Sequence, residues 1–143
     1  MHRFLCVALM LAAAAAVGCR KPSPQFESRD TFPVEGRLLI QGKPAQGVQV
    51  FFHPSDATQR GKPRGVTDAE GNFRLRTYHD GDGAPAGDYT VTVYWPGPYN
   101  PRIAVEDQLP PDRLGERFMD PKSSLLRAKV SKGPTTLPPF DLK

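Results

Sequence analysis

Cysteine is almost absent from this sequence. Its two cysteines, Cys6 and Cys19, lie in the first nineteen residues, so no disulfide can form in the rest of the chain. An exported domain without disulfides depends on its hydrophobic core alone for stability. This absence excludes the disulfide-stapled class of small secreted domains, and it leaves no cysteine nucleophile or cysteine metal ligand after residue 19.

Long apolar runs are also scarce. The one clear example is residues 4–17, fourteen apolar residues that follow His2 and Arg3. A membrane-spanning helix needs about 20 apolar residues, whereas a shorter run behind a positive start is typical of a secretory signal. We therefore predict a signal peptide over residues 1–18 and no membrane-spanning segment after it.

The end of that run carries a candidate modification site. Ala16, Val17 and Gly18 precede Cys19, and this arrangement resembles the bacterial lipobox, in which the cysteine is acylated and becomes the new N-terminus. Ala16 replaces the usual leucine. Each buried acyl CH₂ contributes roughly 0.8 kcal/mol, so more than one chain on Cys19 would anchor the protein stably. The alternative is an ordinary secretory signal with an incidental cysteine.

These features predict a cell-envelope protein that is attached to a membrane through acyl chains on Cys19. The domain then faces the periplasm or the exterior. Arg20 stands where an aspartate accompanies inner-membrane retention in some bacteria, which favours the outer membrane.

The polar residues 20–31 predict a flexible linker. They include Pro22 and Pro24, which cannot donate to a strand ladder, so an ordered edge strand is the less favoured alternative. We assign residues 19–31 to the lipidated cysteine and its linker, and residues 32–143 to one domain.

The excess of positive charge is small. The formal net charge is +4 at pH 7, from 19 lysines and arginines against 15 aspartates and glutamates. The basic residues are dispersed and are not interleaved with aromatic side chains, as they would be on a nucleic-acid-binding surface. We predict no nucleic-acid partner.

Long helical patterns are absent, whereas the chain has 16 prolines, mostly at the boundaries of short apolar runs. Within those runs apolar and polar residues alternate, which is typical of half-buried strands. We predict strands over residues 34–40, 47–53, 72–77, 88–95, 125–131 and 140–142, with a further short strand beginning at Val66. About seven short strands predict an all-β sandwich.

Residues 88–95, DYTVTVYW, give the clearest alternation. We expect the side chains to point alternately into the core and out to solvent. The inward set is Tyr89, Val91, Val93 and Trp95, and the outward set is Thr90, Thr92 and Tyr94. The proline-rich segment 96–121 that follows has no regular period beyond one helical turn, at most, over residues 113–118. Long irregular segments are uncommon in compact domains, so we expect it to be either functional or mobile.

A set of short motifs resembles a known family. The motifs are Gly42-Lys43-Pro44, Gly65-Val66-Thr67-Asp68, Gly81-Asp82-Gly83-Ala84-Pro85-Ala86-Gly87-Asp88-Tyr89 and, later, Phe118, Asp120 and Pro121. They are similar to the carboxypeptidase regulatory-like, transthyretin-like β-sandwich, in its version from small planctomycete-type lipoproteins. The resemblance covers about residues 32–142 and implies a Greek-key topology. Related domains mostly act as structural or adhesive modules, although a fold does not by itself carry a function.

The polar stretch YHDGDGAPAGDY, residues 78–89, is the best metal-binding candidate. A calcium loop of the EF-hand type needs oxygen ligands at positions 1, 3 and 5 and a glutamate at position 12. Counted from Asp80, position 3 is Asp82 and position 9 is Asp88, but positions 5 and 12 are alanine and valine. Because the ligand set is incomplete, we expect no metal or other cofactor and interpret the stretch as a strand connection. A calcium site that backbone carbonyls complete is the less favoured alternative.

The sequence lacks a recognisable catalytic constellation. After the signal peptide its histidines are His53 and His79, and it has no nucleophile motif or phosphate-binding glycine loop. One transthyretin-like enzyme class, which hydrolyses 5-hydroxyisourate, relies on a C-terminal Tyr-Arg-Gly-Ser, whereas this chain ends in Phe-Asp-Leu-Lys. We predict that the protein is not an enzyme.

Two functions remain. The first is a non-catalytic, lipid-anchored module for structural or protein–protein contact in the cell envelope. The second is binding of carbohydrate or another envelope polymer by Tyr94, Trp95 and Tyr99, since exposed aromatic rings can stack on sugars. The alternative role for these aromatics is packing, with Trp95 in the core and Tyr99 under the proline-rich segment.

Overall fold

The computed structural model describes residues 29–104 and 108–143, and within them it contains eleven strands and no helix. The bounds are β1 Thr31–Phe32, β2 Val34–Ile40, β3 Lys43–Pro44, β4 Gln49–Pro54, β5 Arg64–Val66, β6 Asn72–Arg74, β7 Ala84–Pro85, β8 Gly87–Tyr94, β9 Arg127–Val130, β10 Thr135–Thr136 and β11 Phe140–Leu142. Seven of these strands have three or more residues, so the predicted all-β class is confirmed. The predicted signal peptide, Cys19 and most of the predicted linker lie outside the described residues.

Strand β2 is the centre of the first sheet. On one edge β10 and β11 follow one another, both parallel to β2, with Thr136 opposite Glu35 and Phe140 opposite Leu38. On the other edge β6 and β3 pair with β2 in antiparallel fashion. Strands from both ends of the domain are therefore hydrogen-bonded side by side.

The second sheet is antiparallel and has the order β5-β4-β8-β9. Its longest pairing joins β4 to β8, from Gln49 opposite Tyr94 to Pro54 opposite Tyr89. Strands β1 and β7 form a separate two-stranded ribbon, in which Thr31 lies opposite Pro85. The end of the predicted linker thus pairs with the stretch that precedes β8.

The two main sheets pack face to face around one hydrophobic core. The alternation expected for residues 47–53 is confirmed, since Val48, Val50 and Phe52 are fully buried. Across the core the ring of Phe52 lies 6.4 Å, centroid to centroid, from that of Phe73 in the other sheet. Apolar residues that alternate along both sheets bury their side chains between them, which is the physical basis of a sandwich.

The prediction that one face of β8 meets solvent is wrong. Tyr89, Val91 and Val93 point into the core as expected, but Thr92 and Tyr94 are also buried. The Tyr94 hydroxyl donates to the carbonyl of Pro110, so part of the proline-rich segment covers the face that was expected to meet solvent.

The segment after β8 runs back along that strand. The amide of Trp95 donates to the Asp112 carboxylate at 2.8 Å, and the amide of Val93 donates to the Phe118 carbonyl at 2.9 Å. The helical turn allowed at residues 113–118 is absent, and the chain makes turns in which Glu116 has a φ of 62°. Residues 108–121 are therefore held by hydrogen bonds to β8 and its end.

Candidate functional site

Asp82 organises the polar stretch 78–89. Its carboxylate accepts hydrogen bonds from the amides of Thr77, Tyr78 and His79 at 2.7, 2.9 and 3.0 Å. Burial raises the pKa of Asp82, but the three amide hydrogen bonds together outweigh it, so its pKa lies below the ordinary value. The carboxylate is thus used to close the turn that follows β6.

The structure does not bring the other two carboxylates of that stretch together with Asp82. Asp80 forms an ion pair with Arg76 at 2.7 Å, and Asp88 lies in β8 opposite Lys129. Among the described residues no group of three or more histidine, cysteine, aspartate or glutamate side chains is placed to hold a metal ion. The stretch connects β6 to β8 and supplies β7.

Gly83 allows the stretch to approach β1. It has a φ of +84°, which favours glycine, and a Cβ at this position would collide with the carbonyl of Phe32. Gly81 also has a positive φ, of +75°, but a Cβ there would meet open space. The two glycines therefore differ in function, although both permit a turn.

The three aromatic residues expected to bind a ligand do not form a common exposed surface. Tyr94 is buried, whereas Tyr99 has 47% of its surface exposed. Trp95 is half-buried, donates its indole N–H to the carbonyl of Gln46 at 3.1 Å, and carries the guanidinium of Arg113 at 4.9 Å from its ring centroid. The side chains of Trp95 and Tyr94 thus hold neighbouring segments of the same chain.

The two histidines lie in separate environments. The Nε2 of His53 lies 2.8 Å from the hydroxyl oxygen of Thr92. Burial lowers the pKa of His53, and the nearby positive charge of Lys62 lowers it further. His79 is exposed and belongs to the turn closed by Asp82.

An unexpected contact attaches residue 29 to the sandwich. The guanidinium of Arg29 donates to the Asp56 carboxylate at 2.9 Å and to the Thr58 hydroxyl oxygen at 2.6 Å, while its backbone amide donates to the Tyr78 hydroxyl at 3.4 Å. Hydrogen bonds from the side chain and amide of Thr58, and then from Arg29, lower the pKa of Asp56 to about 2. These contacts span 27 to 49 residues of sequence, and no local pattern predicts them.

Beside this contact a row of basic side chains points to solvent. From residue 59 to residue 67 the chain alternates between buried and exposed positions, and Arg60, Lys62 and Arg64 occupy exposed ones. We call these three residues the basic edge. The sequence analysis predicts no strand over residues 55–64 and so does not detect this pattern, because Gly61 and Pro63 hold inward positions in place of large apolar side chains.

The basic edge belongs to a groove of about 920 Å³ at the surface. We call it the N-terminal groove, because Arg29 binds two of its residues; it is lined by Ala57, Thr58, Gln59, Arg60, Gly61, Lys62, Arg64, Thr77 and Tyr78. Two neighbouring arginines are neutralised, since Arg74 pairs with Glu35 and Arg76 with Asp80. Within residues 29–104 and 108–143 the three cations of the basic edge make no such ion pair.

Comparison with known proteins gives little further information. No protein-family model and no curated protein matches the chain. The crystal structure of a 9R-lipoxygenase from Cyanothece PCC8801 is similar over 79% of this chain, with 15% sequence identity and a TM-score of 0.44. The match covers 16% of the lipoxygenase chain, and a likeness of this degree carries no argument about activity.

In the part of the chain that the structure describes, no helix has the length and apolar character needed to traverse a bilayer.

Proposed function

We propose that the chain is a non-catalytic, lipid-anchored cell-envelope protein whose β-sandwich serves structural or protein–protein contact. The acylated residue is Cys19, and residues 32–143 form a carboxypeptidase regulatory-like domain with a Greek-key topology. The sequence support is the lipobox-like end of the signal peptide and the family resemblance of the motifs over residues 32–142.

The observation that carries the proposal is the use of Asp82. Its carboxylate accepts three backbone hydrogen bonds, so the most polar stretch of the chain supports the fold. The buried polar side chains of the described residues are likewise all hydrogen-bonded. A carboxylate whose hydrogen bonds all go to its own turn supports a structural role for this stretch.

The lipid anchor is tested by metabolic labelling of the full-length chain with an alkyne palmitate analogue in a bacterial host. We expect label on the unmodified chain and none on a Cys19→Ala variant. Cys6→Ala is the matched control, because the chain has two cysteines, and it should retain the label. Label on the Cys19→Ala variant, or none on the unmodified chain, would contradict the proposal.

Protein–protein contact is tested separately by chemical cross-linking in intact cells that produce the lipidated chain. We expect a discrete adduct with an envelope protein, identified by mass spectrometry. The absence of any adduct beyond the chain itself would argue against an interaction module.

The aromatic sugar-binding function has less support. Of the three side chains required for it, Tyr94 is 8% exposed and its hydroxyl is bound to the proline-rich segment. A ring that is already buried cannot stack on a carbohydrate. We therefore place the interaction surface elsewhere on the domain.

A further inference from the structure

We propose that the basic edge is a docking surface for the anionic phospholipid headgroups of the membrane that holds the lipid anchor. The domain would then lie with Arg60, Lys62 and Arg64 against the bilayer. This inference rests on the proposed anchoring at Cys19 and adds a defined orientation of the domain.

The charges of the basic edge are complementary to an anionic surface. The three side chains occupy successive exposed positions of a segment that alternates between buried and exposed residues, so they face solvent together. Among the described residues they have no carboxylate partner, whereas Arg74 and Arg76 next to them do. At physiological ionic strength charges act over about 8 Å, so the unpaired cations favour a partner that they can approach closely.

The chain enters the sandwich beside the basic edge. Arg29 contacts Thr58 and Tyr78, and both residues line the N-terminal groove. Ten peptide units separate Cys19 from Arg29, and at roughly 3.6 Å each they span at most about 36 Å. An anchor on Cys19 therefore leaves this groove within reach of the bilayer surface.

The residues around the three cations also suit a membrane surface. Tyr78 lies at the groove with 38% of its surface exposed, and tyrosine is favoured at membrane–water interfaces because it has an apolar ring and a polar tip. Gly61 lies beneath it, since a Cβ there would come within 3.0 Å of the Tyr78 hydroxyl. Arg20 and Lys21 directly after the anchor add two further cations in the sequence.

An anionic polysaccharide offers negative charge as well. It accounts for the unpaired cations, but it does not account for their position beside the point at which the anchored chain enters the domain. The membrane surface accounts for both, and the experiment below separates the two partners.

The purified, lipidated full-length chain is reconstituted in vesicles of phosphatidylcholine, with or without phosphatidylglycerol. Amide hydrogen exchange is then followed by mass spectrometry. Each lysine or arginine near an anionic surface favours docking by about fivefold, so three favour it by roughly a hundredfold. We expect slower exchange over residues 57–64 in the anionic vesicles, reversed by high salt and lost in the variant Arg60→Gln/Lys62→Gln/Arg64→Gln.

The matched control is Lys122→Gln/Lys129→Gln/Lys132→Gln, which removes the same charge from exposed positions elsewhere and should keep the protection. Equal exchange in both vesicle types, or loss of protection in the control variant, would overturn the docking surface. Protection that appears only when polygalacturonate is added to phosphatidylcholine vesicles would overturn it in favour of a polysaccharide. Flotation of the chain with uncharged vesicles reports the anchor itself, so failure of the anchor is seen separately.

Discussion

The side-chain amide of Gln59 donates a 2.7 Å hydrogen bond to the hydroxyl of Tyr89, which in turn donates to the carbonyl of Pro85 at 2.6 Å. Burial raises the pKa of the Tyr89 hydroxyl, so it remains a donor at neutral pH. Through these bonds the core holds Gln59, which lines the N-terminal groove, and Pro85, which lies in strand β7 of the two-stranded ribbon.

Replacing Tyr89 by phenylalanine should destabilise the domain by about 1–3 kcal/mol, because the buried Gln59 amide and Pro85 carbonyl each lose a partner. Urea denaturation of the two proteins measures the difference. Tyr99→Phe is the control, since Tyr99 is exposed and a surface change of this kind costs less than about 0.5 kcal/mol. Equal stability of Tyr89→Phe and the unmodified protein would show that the network is dispensable.

The two glycines of the polar stretch provide a test of the close approach to β1. Gly81→Ala should cost about 1–2 kcal/mol, the usual strain of a left-handed backbone with a side chain. Gly83→Ala has the same strain and adds a collision with the Phe32 carbonyl, so we expect about 1–3 kcal/mol more. Thermal unfolding of both variants measures this difference, and equal midpoints would mean that β1 is not held against Gly83.

The carboxylate of Asp82 should make stability depend on pH. Because its pKa is lowered in the folded state, its contribution is present above the unfolded value of about 3.9 and is lost as pH falls through the folded pKa. Asp82→Asn should therefore be less stable than the unmodified protein at pH 7, and the gap should close in strong acid. The urea midpoints of both proteins at several pH values measure this gap.

Asp80→Asn is the matched control for that series. Asp80 is exposed and contributes one surface ion pair with Arg76, so its replacement should change stability by less than about 1 kcal/mol. A gap for Asp82→Asn that stays constant with pH would show that the amide bonds do not depend on its charge. A gap as small as that of Asp80→Asn at pH 7 would show that the turn needs no carboxylate.

Much of the sandwich could be predicted from alternation alone. In β4, β8 and β11 large apolar residues recur at every second position, and in β2 only Gly36 interrupts the series. The burial of such residues dominates the folding of these segments. Strand β10 has two residues and carries no periodic signal, so its parallel pairing with β2 could not be predicted. That pairing depends on where the rest of the chain has already placed β2.

The surface of the domain was harder to predict for a related reason. Tyr94 looks outward by alternation, yet the fold places Pro110 over its hydroxyl, and only tertiary packing decides that. The basic edge alternates too, but with Gly61 and Pro63 on its inward side, where hydrophobic periodicity gives no signal. Counting positions in the sequence shows that the set of calcium ligands is incomplete, whereas the three amide bonds of Asp82 required the folded turn.

The most direct test of the central claim, lipid attachment at Cys19, is the intact mass of the full-length protein after purification from bacterial membranes. We expect a mature chain that begins at Cys19 and carries the mass of more than one acyl chain, which stable anchoring requires. A chain that begins elsewhere, or a mature chain with an unmodified Cys19 thiol, would contradict it.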